Sequence, residues 1–257
     1  MLLMPIKRCV SLAILLIGMQ TAAASDVRVA VAASFQGTLN QLAVLFEAQT
    51  GQTLSASSGS SGALYTHIIN GAPFDVFLSA DAARPALLAE SGHGVADTRL
   101  TYAIGIPVVW SPRDDLPLDD PDYLRSNSVR FIAIAEPRTA PYGLAAQEIF
   151  ESIGVWETVS TSRRLVRAQN VGQAWQQVAS GAADVGVVAL AQVRTADGSI
   201  PGSSWRPAAD THAPIEQQAI LLARAADSDA ARAFLSWLSS ADARRLIEAA
   251  GHGVADD

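Results

Sequence analysis

The chain has 257 residues, 18 basic against 25 acidic side chains, a formal charge of −7 and one cysteine, Cys9. An acidic chain without a basic run is a poor partner for nucleic acid or an anionic membrane surface, and a single thiol excludes a disulfide framework. The fold must therefore be held by its core.

Lys7 and Arg8 precede an uncharged, mostly apolar run over 9–19, and QTAAAS follows with small residues at Ala22 and Ala24. A basic start, a short apolar run and an A-x-A exit predict a secretory signal peptide over 1–24. Cleavage is placed after Ala24, with Ala23 and a start at Met4 as alternatives. The run is short of the roughly 20 apolar residues that span a bilayer, which weighs against an N-terminal anchor. Cys9 precedes the run and cannot carry a lipid just after it. The mature product is expected to be released without a thiol. Its basic residues are all arginine, because Lys7 is the only lysine.

Strand-like and helical patterns then alternate. VRVAVAA (27–33) predicts a strand. Residues 36–49 put Leu39, Leu42, Leu45 and Phe46 on one helical face before Gly51. TLSAS (53–57) is extended, SGSSG (58–62) leads into a helical ALYTHIIN, and NGAP (70–73) breaks it. FDVFLSA (74–80) is a strand, and Asp81 is placed to cap a helix running to Glu90. GIPVVWSP (105–112) is a buried strand, 113–127 a loop, VRFIAIA (129–135) a strand and 141–154 a helix. Over 170–181, Val171, Ala174, Trp175, Val178 and Ala179 form a full helical stripe, which is read as core. ADVGVVAL (183–190) and IEQQAILLA (215–223) are strands, and helices at 228–239 and 241–250 close the chain. GHGVAD occurs at 92–97 and again at 251–256. It is read as one helix stop used twice, because six residues are too few for a structural repeat. Strands separated by helices imply an α/β fold with parallel sheets, and such sheets bind ligands at the carboxyl ends of strands.

Two strand ends carry candidate chemistry. One strand ends at Ala33 and a helix opens near Ser34; another ends before a helix opening near Ser61. Free N–H groups and partial positive charge gather at helix starts, and a serine hydroxyl adds a donor without charge. Two such ends face to face suit a tetrahedral oxyanion. Taken singly, either serine is equally an ordinary N-cap, and the Ser/Gly run a flexible loop.

AASF, then SSGALYTHIINGAPFDVFLSAD (60–81), resembles the molybdate-binding proteins of bacterial ABC importers. GAPFDVFLSAD (71–81) is the most specific stretch. EPRTAPYGLAAQ (136–147), AQNVGQAWQQVASGAADVGVVALAQV (168–193) and RAFLSWLSSADARRLIEAAGHGV (232–254) extend the resemblance over essentially the whole mature chain. The resemblance implies an α/β, two-lobed type II periplasmic binding protein, each lobe a mostly parallel sheet flanked by helices, with the ligand in the cleft. It implies molybdate or tungstate as ligand, no cofactor, and delivery to a permease with a cytoplasmic ATPase. Carried over by position, the oxyanion contacts are the hydroxyls of Ser34 and Ser61 and backbone donors at Tyr142 and Val171. Ser60 is the alternative to Ser61. Some members place a tyrosine where this chain has Ala189, which can supply only backbone. The lobes are expected at 25–104 plus 215–257 and at 105–214, in a periplasmic monomer.

A donor-only site favours a fully deprotonated anion over hydrogen phosphate; exclusion of sulfate has to come from cavity size. Three other readings compete. SSGSSG does not make the G-x-S-x-G of a serine hydrolase, no histidine pair has metal spacing, and His67, the histidine closest to a candidate site, reads as a solvated helix residue. A sulfate-binding protein is the second reading. The third, the ligand-sensing domain of a regulator, fits poorly with an export signal.

Overall fold

The structure is a computed structural model that describes residues 26–254. The segment read as a signal peptide lies outside the described residues.

The first part of the chain runs β1 (Asp26–Ala32), α1 (Gln36–Thr50), β2 (Thr53–Gly59), α2 (Ser61–Ile69), β3 (Val76–Leu78), α3 (Ala83–Glu90) and β4 (Leu100–Gly105). The middle runs β5 (Pro107–Ser111), α4 (Pro121–Arg125), β6 (Ile132–Ala135), α5 (Pro141–Ser152), α6 (Trp156–Thr161), β7 (Leu165–Ala168), α7 (Val171–Ala179), β8 (Val185–Ala189), α8 (Leu190–Val193) and β9 (Ser203–Trp205). The chain then returns through β10 (Ile215–Leu221) and closes with α9 (Asp229–Leu238) and α10 (Ala241–Ala249).

Two five-stranded sheets result, in the orders β2-β1-β3-β10-β4 and β7-β6-β8-β5-β9. This is the expected two-lobed α/β architecture, but the sheets are mixed. β1, β2 and β3 are parallel, as are β6, β7 and β8, whereas β10 and β5 run antiparallel to both of their neighbours. β5 and β10 are the strands the chain enters on crossing from one sheet to the other. No helical crossover precedes them, so nothing forces them parallel.

Ile106 alone separates β4 from β5. Gly105 ladders with Ile215 in the first sheet, so the strand read from Gly105 belongs to two sheets. The strand read over 129–135 starts only at Ile132, because the Arg130 and Phe131 N–H groups donate to the Asp184 carboxylate instead. The segment 113–127, read as loop, contains α4, capped by Asp120 with Pro121 in its first turn.

Each sheet buries both faces. In the first lobe Val29, Val31, Leu39, Leu42, Phe46 and Phe234 pack together on one side, and Ala30, Leu64, Phe77 and Ile220 on the other. In the second, Ile132, Ile149, Phe150 and Val185 fill one side, and Trp110, Ala174, Val178 and Val188 the other. The stripe read on 170–181 is core, as expected: Val171, Ala174 and Val178 are buried in α7. α1 stops where Gly51 takes φ +73° and returns its N–H to Glu47 O, the left-handed cap that glycine adopts without steric cost.

Candidate functional site

Four parallel strands end at one place. β1 leads to Ser34, β2 to Ser60 and Ser61, β6 to the turn before Tyr142, and β7 to Asn170 and Val171. The first two belong to one lobe and the last two to the other. All of these residues line a small cavity of about 10 Å³ between the lobes. A site for an organic ligand of drug size is some tens of times larger; this one suits an ion of a few atoms. None of the lining side chains carries a formal charge.

The donors come from helix starts. Ser61 and Val171 are the first residues of α2 and α7, and Tyr142 follows Pro141 at the start of α5. Their N–H groups have no preceding carbonyl in the helix to meet. Three helix N-termini thus point partial positive charge at one cavity. Neighbouring amides are already used: Gly62 N–H donates to Thr139 O across the lobes (2.9 Å), and Gln173 N–H to the Asn170 side chain (3.0 Å).

Ser60 and Ser61 both line the cavity, and their hydroxyls meet different backbone groups. Ser60 is the N-cap of α2, its hydroxyl accepting from Ala63 N–H at 3.4 Å. Ser61 is fully buried and accepts from Ala80 N–H at 2.9 Å. That bond uses one lone pair of the Ser61 oxygen and leaves the hydroxyl proton available to donate. Ser34 is also not a cap. α1 starts one residue later, from Phe35, and the Ser34 hydroxyl donates to Gln217 Oε1 at 3.2 Å.

Tyr142 is buried, and its ring packs with Ala189 and Ile215. Its hydroxyl lies beside Gly105, where a Cβ would come within 2.6 Å, and near the Ile106 backbone, without a hydrogen bond of normal geometry. Burial pushes its pKa above the ordinary tyrosine value. Ala189 has to be corrected. It does not line the cavity, and its N–H donates to Gln192 Oε1 at 3.0 Å, so it has no donor to give. The ring of Tyr142 fills the space beside it.

The sequence reading missed Gln217 and His252. Gln217 is fully buried in β10, and the buried imidazole of His252 lies 3.1 Å from its amide. Burial pushes the His252 pKa down to about 4. Both lie close to Ser34, whereas His67, singled out as the nearest histidine, is exposed on α2. A signal for Gln217 was present. In IEQQAIL the two-residue period puts it on the same face as Ile215 and Ala219, and a polar residue there has to have a partner.

Comparison with known proteins agrees with this geometry. The family model described as "Bacterial extracellular solute-binding protein" matches residues 27–252. The molybdate-binding protein ModA of Rhodobacter capsulatus is 41% identical over 231 residues, covering 90% of this chain and 89% of that protein. ModA of Azotobacter vinelandii is 40% identical over 234 residues, with 91% and 92% covered. The solved periplasmic molybdate-binding protein of Azotobacter vinelandii superposes with a TM-score of 0.86 at 44% identity, covering 90% of this chain and 100% of that one. The chain therefore belongs to the bacterial extracellular solute-binding proteins, in the group formed with the molybdate-binding proteins.

Proposed function

We propose that this protein captures molybdate, and also tungstate, as the bare dianion and hands it to the permease of an ABC importer driven by a cytoplasmic ATPase. It does so as a periplasmic monomer after loss of residues 1–24. Its lobes are taken as 25–104 with 215–257, and 105–214. The observation that carries the reading is the small uncharged cavity where four strand ends meet, with hydroxyls at Ser34 and Ser61 and backbone donors at Tyr142 and Val171. The names of the relatives at 40–41% identity point to the same ligand.

Neutral donors, the helix-start N–H groups among them already in place, hold a dianion without a countercharge. The backbone N–H groups at the helix starts can only donate, so an oxyanion that kept a proton would set a donor against donors. That disfavours hydrogen phosphate. The serines are not set up as nucleophiles. Ser34 faces an amide and Ser61 a backbone N–H, and neither partner is a base that takes a proton.

Calorimetric titration with molybdate, tungstate, sulfate and phosphate tests the reading. Tight 1:1 binding of the first two, with the others far weaker, is expected. Ser34→Ala and Ser61→Ala should each weaken molybdate by about ten- to a hundredfold, the worth of a hydrogen bond to a charged group. Sulfate binding as tightly as molybdate overturns the specificity, and no binding of any oxyanion overturns the function.

A further inference from the structure

Four buried side chains form a hydrogen-bonded chain that begins at the cavity wall and ends in the core. Ser34 Oγ meets the Gln217 amide at 3.2 Å, that amide meets His252 Nδ1 at 3.1 Å, and His252 Nε2 meets Thr38 Oγ1 at 3.0 Å. All four residues are buried. Gln217 faces inward by the ordinary alternation of β10, on the side of Ile215 and Ala219. Its exposed neighbour in sequence, Glu216, lies on the opposite face.

Burial keeps the imidazole neutral at neutral pH. A neutral imidazole has one donor and one acceptor nitrogen, an amide has one donor end and one acceptor end, and each hydroxyl has one proton. The chain can therefore run in only two directions. As placed, Ser34 donates to Gln217 Oε1, Gln217 Nε2 donates to His252 Nδ1, and His252 Nε2–H points at Thr38. The single Ser34 proton is then turned into the protein, and oxygen lone pairs face the cavity. A dianion is repelled by that arrangement. In the opposite direction Thr38 donates to His252 Nε2, His252 Nδ1–H donates to Gln217 Oε1, and Gln217 Nε2 donates to Ser34. The Ser34 proton is then free for the cavity. Amide oxygen and nitrogen are near-isosteric, so a half-turn of the Gln217 amide, a tautomer change and two hydroxyl rotations interconvert the directions without displacing other heavy atoms.

We propose that Gln217 is a positioning residue for oxyanion binding: by presenting its Nε2 to Ser34 and its Oε1 to His252, it makes Ser34 a donor to the bound anion. The proposal rests on the oxyanion reading above and adds to it the direction of a buried chain. It also gives Thr38 and His252 a role, since they fix which end of the amide faces Ser34.

The test is long-range ¹⁵N–¹H correlation of the histidine rings in the full mature protein, with and without saturating molybdate, His252 being assigned through His252→Asn. In the molybdate-saturated protein His252 should carry its proton on Nδ1; a proton on Nε2 overturns the proposal. Calorimetry of two variants adds a second readout. Gln217→Glu keeps the size but offers Ser34 only acceptors and sets a carboxylate beside the anion. It should weaken molybdate by about a hundredfold or more, as an uncompensated buried charge does. Gln217→Leu leaves the Ser34 proton free and should cost less than about tenfold. A space-filling role predicts the reverse order, with Glu the milder change, and that order overturns the proposal. If Gln217→Glu does not fold, the wild-type tautomer decides alone. Absence of molybdate binding by the wild type is a different failure: it removes the oxyanion reading itself, and the proposal with it.

Discussion

Tyr142 offers two groups near the cavity, a backbone N–H and a hydroxyl, and their surroundings separate their roles. The N–H stands at the start of α5 and lines the cavity, while the hydroxyl is buried beside Gly105 and the Ile106 backbone with no normal hydrogen bond. A buried polar group without a partner costs free energy, about 1–3 kcal/mol in general. Tyr142→Phe should therefore leave molybdate affinity within about twofold and leave stability unchanged or slightly raised. Calorimetry and thermal unfolding check it; a tenfold loss of affinity would place the hydroxyl on the ligand. Residue by residue, the site was legible only where local rules govern. A serine after a strand and before a helix announces a donor, so Ser34 and Ser61 stood out. His252 did not, because the same GHGVAD string surrounds His93. Both strings start at a left-handed glycine after a helix, Gly92 at φ +73° and Gly251 at φ +101°. Yet His93 is exposed and His252 is buried against Phe35, their ring centroids 5.0 Å apart. Tertiary packing tells the two histidines apart, and a six-residue window does not contain it.

Among the elements, α2 has two tasks at its first turn. Ser61 faces the cavity, and Gly62 approaches the other lobe so closely that a Cβ would lie 2.9 Å from Thr139 O and 3.1 Å from Thr139 Cα. The Gly62 N–H donates to that same carbonyl, and the Arg84 guanidinium reaches the neighbouring Arg138 O. These contacts bridge the two lobes, so parting the lobes at this point would break them. Alanine favours a helix over glycine by up to about 1 kcal/mol, so Gly62→Ala should stabilise the open protein slightly while opposing closure. The expected result is a higher unfolding midpoint without ligand together with molybdate affinity reduced by about tenfold or more. A parallel change of both quantities would show that the close approach does not matter. The long periodic elements were readable in the sequence, since α1, α5, α7 and the closing helices each carry an apolar stripe. β7 and β9 were not: both are half-exposed edge strands without the continuous apolar run that marks the equally short β3 and β6. The antiparallel setting of β5 and β10 was equally hidden, since it follows from where the chain crosses between sheets.

At the scale of the whole molecule, His252 ties acid stability to the core around the site. Its folded pKa, about 4, lies below the ordinary histidine value of 6.5, so between these values the unfolded chain binds the proton more readily. The stability contributed by the neutral imidazole is complete above about pH 6.5 and is lost as pH falls toward 4; the difference corresponds to about 3 kcal/mol. Asp197, held at about 2 by hydrogen bonds from Thr195 and Ser199, titrates below that window. Urea unfolding from pH 7 to 4.5 should show stability falling with pH in the wild type and a much flatter dependence in His252→Asn. Equal slopes would assign the loss to other groups.

The place of β10 in the first sheet has a consequence for how the molecule comes into being. β4 is joined to its sheet through β10 alone, and β10 arrives more than a hundred residues after β4. The second sheet, by contrast, is built from one continuous stretch ending at β9. A chain emerging from its N-terminus can complete the second sheet while the first still shows a bare edge at β3, waiting for its fourth strand. The Ser34 hydroxyl meets Gln217 across 183 residues of sequence, and His252 comes later still. Long loop closures of this kind are slow steps in assembly. The lining of the cavity ends at Val171, so its walls are in the chain before β10 arrives, and the part completed last is the buried hydrogen-bonded chain behind Ser34.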